Sequence, residues 1–216
     1  MVFSSLTFLV YFFPVFFFIY FLTPNSWKNL VIFIGSFVFY FYGVIENPLY
    51  VLLILLSIIV NFLISQKLDK RNPQQVRKRW IYIGSFYNFG ILFVYKYLDF
   101  FIENVNSVLK WTGMGIELPY ANIVLPIGIS FYTFQISSYL FDVYRQKIPV
   151  ERSILKLGAY LCMFPQLIAG PIVRHNEIMP QFQTIKTKVL NWRNMVNGVF
   201  LFSTGLFKKV IILHTS

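Results

Sequence analysis

The sequence predicts an all-α, polytopic integral membrane protein, one membrane domain over residues 1–216. Three observations carry that class. Of the 216 residues, 57% are hydrophobic and 20% aromatic, while only 12% are charged; soluble domains carry about 25% charged residues. A water-soluble globule with so few charges would expose large apolar patches. The apolar residues also gather in uncharged runs of membrane-spanning length, and the basic residues cluster between those runs. Disorder is excluded by the amount of apolar surface, and a disulfide scaffold by the single cysteine, Cys162. The net charge of +11 fits cytoplasmic loops facing anionic lipid. Nothing around these charges resembles a nucleic-acid module, so the lipid bilayer is the expected partner.

The first charge in the chain is Lys28. Without a basic start or a small-residue cleavage site, residues 6–22 read as a retained span rather than a signal peptide. A bend is expected at Pro14, whose ring removes an internal hydrogen bond. Residues 29–45 and 49–65 are the next spans, with Asn47 as N-cap and Pro48 at the first helical position. Residues 80–95 form a fourth span and residues 121–141 a fifth. Trp27, Trp80, Trp111 and Trp192 fall at segment edges or in loops, as interfacial anchors do.

Lys67, Lys70, Arg71, Arg77, Lys78 and Arg79 lie between the third and fourth spans, which places that loop in the cytoplasm. Alternation then puts the N-terminus and Glu46 outside, and Arg145, Lys147 and Arg152 inside. Beyond this point the pattern changes. Residues 157–173 are apolar but interrupted by Pro165 and by Gly170-Pro171, and a full crossing would export Arg174, Lys186, Lys188 and Arg193. Broken backbone at membrane depth is tolerated only where protein or water covers it. A re-entrant segment that leaves on the cytoplasmic side answers both problems, and it marks the functional region. A short apolar run, residues 195–207, follows.

Gln135, Tyr139 and Asp142 are spaced to share one helical face. Such a stripe in lipid faces protein or a cavity; interhelical bonding and a substrate path are both open readings. Asp142 and Arg145, three apart, are positioned to pair. In the broken segment Gln166 follows Pro165, Gly170 permits close backbone approach, Pro171 fixes the exit, and Arg174 offers a planar cationic fork. His175 lies in a polar loop and His214 near the last residue, so both read as incidental, since geometry makes a base. Cys162 reads as a buried, inert thiol. No metal-ligand spacing, phosphate-binding glycine loop or nucleophile elbow occurs.

Residues 1–9 (MVFSSLTFL), 57–62 (SIIVNF), 125–135 (LPIGISFYTFQ) with Tyr139 and 142–145 (DVYR), 164–174 (FPQLIAGPIVR) and 205–210 (GLFKKV) resemble the membrane-bound O-acyltransferase family. The branch is the bacterial one of alginate and peptidoglycan O-acetylation proteins, with D-alanyl transfer proteins more distant. The resemblance implies a multi-helix funnel fold. It implies an acyl thioester donor, such as acetyl-CoA, on the cytoplasmic side and an exported polysaccharide as acceptor. An extracytoplasmic acetyltransferase is an implied partner, and the bacterial inner membrane the implied location. Gln135, Tyr139, Asp142, Arg145, Pro165, Gln166, Gly170, Pro171 and Arg174 are the candidate acyl-path or donor-binding residues. The family's catalytic histidine belongs to a later helix, matched by neither His175 nor His214. The chain is therefore expected to be the N-terminal half of the fold, with no catalytic residue of its own and inactive without the C-terminal half. A small polytopic transporter or channel subunit, using the Gln135–Asp142 face, is the alternative.

Overall fold

A computed structural model describes residues 5–113, 115–167, 173–183 and 191–208. Every regular element among them is helical. The chain opens with a π-helical segment, Thr7–Phe12, which runs into α1, Phe13–Leu22. The Phe13 N–H donates to the Phe8 carbonyl across the wide turn. Pro14 then takes the first turn of α1, inside a helix continuous with the π-helical segment, so its missing N–H removes one bond of the ladder without ending the helix. The change from π- to α-helix falls just ahead of Pro14, the position at which the sequence predicts a bend.

Helix α2 spans Lys28–Gly43 and α3 spans Leu49–Lys67. Asn47 does not cap α3 with its side chain; Pro48 holds the N-cap position, and the Asn47 carbonyl accepts from the Tyr50 N–H at 3.1 Å. Among the described residues, Leu49–Lys67 is the one helix long and apolar enough to cross a membrane on those criteria, and Thr7–Leu22 and Lys28–Gly43 are shorter apolar helices.

Helix α4 spans Gln74–Trp111, 38 residues, far beyond the 80–95 span expected. No proline or glycine falls between Gly90 and Gly113. Lys96, Asp99, Glu103 and Lys110 end the apolar run without breaking the backbone ladder. Gly113, at φ +72°, follows the helix end. Helix α5, Ile129–Tyr144, starts eight residues later than the expected 121–141 span, because Pro126 and Gly128 prevent an earlier start. Gly128 sits at φ +77° as the N-cap, a conformation open to glycine at little cost. Trp27, Trp111 and Trp192 are exposed at helix ends, whereas Trp80 lies half-buried within α4.

The expected broken segment divides into α6, Ile154–Cys162, and α7, Phe164–Leu167, separated at Met163. The Ser153 side chain caps α6 by accepting from the Lys156 N–H. Pro165 has no N–H for a continuing ladder, and the Phe164 N–H at the break donates to the Ser36 hydroxyl of α2 at 3.2 Å. The Phe164 ring stands 5.2–6.1 Å from those of Phe8, Phe12, Phe16 and Phe39, so an aromatic cluster holds the tip. Helix α8, His175–Gln183, contains Pro180. Helix α9, Trp192–Phe207, buries no residue and meets the first helix through Phe13 and Phe202, stacked at 5.1 Å.

Polar pairs tie the bundle internally. Asn61 and Asn88 exchange amide hydrogen bonds at 2.9 and 2.8 Å between α3 and α4. At one end, buried Arg77 donates to the carbonyls of Leu68 and Tyr144, and Gln66 donates to that of Glu151. The two basic loops, on either side of α4–α5, thus meet at the same end. Helix α8 joins them there, because Asn29 at the start of α2 donates to the Phe182 carbonyl.

Candidate functional site

A buried polar group lies where α5, α6, α7 and α8 converge. Gln135 is buried on α5. Its amide nitrogen donates to the Tyr160 carbonyl at 3.0 Å and to Gln166 Oε1 at 3.3 Å. One turn further along α5, the Tyr139 hydroxyl accepts from the Glu151 N–H at 3.0 Å. The Tyr160 hydroxyl donates to the Val173 carbonyl at 3.0 Å. These bonds join α5 to both sides of the break and to the chain that follows it.

His175 completes the group. It does not lie in a loop: it opens α8 and is 5% exposed. Its ring centroid stands 4.6 Å from that of Tyr139 and 5.1 Å from that of Tyr160. Its Nε2 has no hydrogen-bond partner among the described residues. Burial pushes its pKa down to about 4, because the charged imidazolium is poorly solvated there. A neutral imidazole of such low basicity is a weak general base near pH 7, but it offers a free hydrogen-bonding nitrogen.

The remaining candidates are scattered around this core. Asp142 is half-buried and its main-chain carbonyl accepts from the Lys147 N–H. Arg145 is exposed at the end of α5 and forms no ion pair with Asp142. Pro165 and Arg174 are exposed, and Gln166 is half-buried. Gly170 and Pro171 lie outside the described residues, as do Lys186, Lys188 and His214. Cys162 is a buried free thiol. Among the described residues no cluster of three histidine, cysteine or carboxylate side chains could hold a metal ion.

Tyr160 and Glu151 belong to the site and were not legible as such. Tyr160 had one signal, a lone hydroxyl inside the apolar run 157–163. Glu151 had none, since it contributes a backbone N–H.

The path of the broken segment follows from its contacts. It starts beside Glu151, at the basic end. A Cβ on Gly128 would stand 2.6 Å from the Leu167 carbonyl oxygen, so the α7 tip reaches the far end of α5. By Val173 and His175 the chain is again beside Tyr160 and Tyr139.

Comparison with known proteins supplies the lineage. Over 241 residues the chain is 32% identical to the peptidoglycan O-acetyltransferase of Helicobacter pylori, covering 98% of this chain and 44% of that one. Over 218 residues it is 34% identical to the probable alginate O-acetylase AlgI of Pseudomonas syringae pv. tomato, covering 100% and 40%. Its identity to the Pseudomonas aeruginosa protein of the same name is 33%, with the same coverages. The chain is a homologue of bacterial alginate and peptidoglycan O-acetylation proteins, in agreement with the membrane-bound O-acyltransferase resemblance of its motifs. It spans 40–44% of the length of these three relatives. No family model matches it, and no solved structure does. Within this O-acyltransferase lineage the Gln135–Tyr160–Gln166–His175 group is the candidate site.

Proposed function

We propose that this chain forms the donor-side portion of a membrane O-acetyltransferase. The transferase moves an acetyl group from a cytoplasmic thioester, such as acetyl-CoA, to a hydroxyl of an exported polysaccharide of the alginate or peptidoglycan class. The observation that carries the reading is the broken α6–α7 segment. It starts beside the basic end, the α7 tip is held against the far end of α5, and Val173 and His175 beyond it pack beside Tyr160 and Tyr139, contacts that a re-entrant path accommodates. Acyl transfer across a bilayer needs a sealed passage with a thin floor, and a protein-covered re-entrant segment can form one. Helix α6, with 9 residues, rises about 14 Å, roughly half the hydrocarbon thickness.

In this reading the basic loops face the cytoplasm of the inner membrane and the N-terminus faces out. Gln135, Tyr139, Gln166 and Arg174 border the acyl path, with Asp142 and Arg145 at its mouth. Arg174 offers a guanidinium fork to donor phosphates. The general base on the acceptor hydroxyl is a histidine from outside these 216 residues, and an extracytoplasmic acetyltransferase receives or relays the group. A transporter is less well supported, because transporters typically pair matching broken helices in two repeats, and the described residues contain one such segment.

Two experiments test this. The chain is coexpressed with the C-terminal part of a relative such as the H. pylori protein, and ester acetate on exported polysaccharide is measured. Acetyl ester above the level of either part alone is expected; its absence, with both parts inserted and associated, rejects the transferase reading. A cysteine placed at Lys186→Cys should react only with reagents delivered from the cytoplasm. Labelling from outside rejects the re-entrant path.

A further inference from the structure

At the basic end, the loops around residues 69–71 and 143–152 enclose a cavity of about 410 Å³, within the size range of small-ligand sites. Lys70, Arg71, Lys147 and Arg152 line it, with Asp69 as the one carboxylate. That carboxylate is already engaged: it accepts from the Arg71 main-chain N–H at 3.0 Å and pairs with Arg152. The Arg71 N–H and the Arg152 charge hold the Asp69 carboxyl below its ordinary pKa, so it stays ionised and keeps Arg152 in place. Arg152 also donates to Gln66 Oε1 at 3.0 Å, which orients its fork. No side-chain hydrogen bond or ion pair occupies Lys70, Arg71 or Lys147 among the described residues.

Basic loops on a membrane protein ordinarily spread their charges into solvent. Here they surround a concavity, and one arginine is fixed by two partners. The loop also holds Gln146, another lining residue, at φ +60°, a conformation uncommon for a residue with a side chain. We propose that this cavity binds a phosphate ester, with Lys70 and Lys147 as cations that pair with no carboxylate among the described residues, Arg71 as a third cation whose charge also acts on Asp69, and Arg152 as the oriented fork. The same chemistry has two sources, the headgroup of an anionic phospholipid and the phosphates of a soluble nucleotide. The anion site does not depend on the transferase reading. Only nucleotide binding would deepen that reading, by adding a second phosphate contact of the donor to the one proposed at Arg174.

The full chain in phosphatidylcholine nanodiscs is titrated with adenosine 3′,5′-bisphosphate. In parallel, retention of phosphatidylglycerol is measured by native mass spectrometry. At least one probe should bind, weaken with added salt, and lose about tenfold or more in affinity in the Arg71→Ala/Lys147→Ala double variant. Both side chains are exposed, so folding should survive, and Lys70→Gln gives an independent loss. Lys110→Ala, at the far end of α4, should bind as wild type. Bisphosphate binding identifies the nucleotide source, and phosphatidylglycerol retention without it identifies the lipid. No binding of either probe, or equal binding by wild type and the double variant, overturns the proposal. Acetyl transfer in the coexpression experiment without anion binding would reject this site alone.

Discussion

The Gln135 side chain bridges the break in the α6–α7 segment: its amide nitrogen donates to the Tyr160 carbonyl before the break and to Gln166 Oε1 after it. One side chain on α5 thus contacts the chain on both sides of the break. Gln135→Leu keeps the apolar bulk and removes the donor. The buried Tyr160 carbonyl would lose this partner, with an expected cost of about 1–3 kcal/mol. Thermal unfolding in nanodiscs measures it, and an unchanged midpoint would mean that the bridge carries no stability.

Gln166 lies in α7 just after the break and Arg174 directly precedes α8. In the coexpressed enzyme, Gln166→Ala or Arg174→Ala should lower polysaccharide acetylation while membrane insertion and abundance stay at wild-type levels. Wild-type acetylation in both variants would leave these residues with a structural role only.

His175 makes stability depend on acid. Its folded pKa, pushed down to about 4, lies below the unfolded value near 6.5. Above pH 6.5 both states are neutral and the burial carries no protonation penalty. As the pH falls from there towards 4, the unfolded state binds the proton first and stability declines, by about 3 kcal/mol at most. His175→Phe should flatten this part of the stability profile. Chemical denaturation at pH 7 and pH 4.5 compares the two proteins, and equal acid loss in both would place the sensitivity elsewhere.

Gly128 combines a left-handed backbone with the close approach of Leu167. Gly128→Ala should cost on the order of 1–3 kcal/mol, since a Cβ would meet the Leu167 carbonyl as well as strain its own φ. Gly198→Ala on α9, where nothing lies within 4 Å of the added atom, is the control and should be neutral or slightly stabilising. Equal melting of the two variants would remove the α5–α7 contact from the account.

Several features were readable without coordinates because they depend on local chemistry. The uncharged runs before Lys28 and around α2 and α3 mark helices nearly to their ends. Pro165 announces the break just ahead of it, at Met163, because it has no N–H to continue the α6 ladder. The motif around Gln135 and Gln166 carried the O-acyltransferase resemblance before any contact between the two was visible.

Other features needed the folded chain. The apolar run of α4 fades after Tyr95, yet the helix continues to Trp111, because backbone hydrogen bonds do not require hydrophobic side chains. The delayed start of α5 depends on Gly128 adopting a positive φ against Leu167, a contact between positions 39 residues apart. His175 has polar sequence neighbours and is nonetheless buried, because Tyr139 and Tyr160 are brought to it from two other helices.

The amino-acid order by itself determined a helical, lipid-suited chain with clustered cations and one interrupted segment, since hydropathy, charge and proline act over a few residues. Only the tertiary structure decided that Val173 and His175 pack beside Tyr160 and Tyr139, that Gln135 spans the break, and that the two basic loops share a cavity. Those outcomes depend on which distant surfaces meet, and the energy of such a meeting is spread over many side chains rather than written in any one stretch.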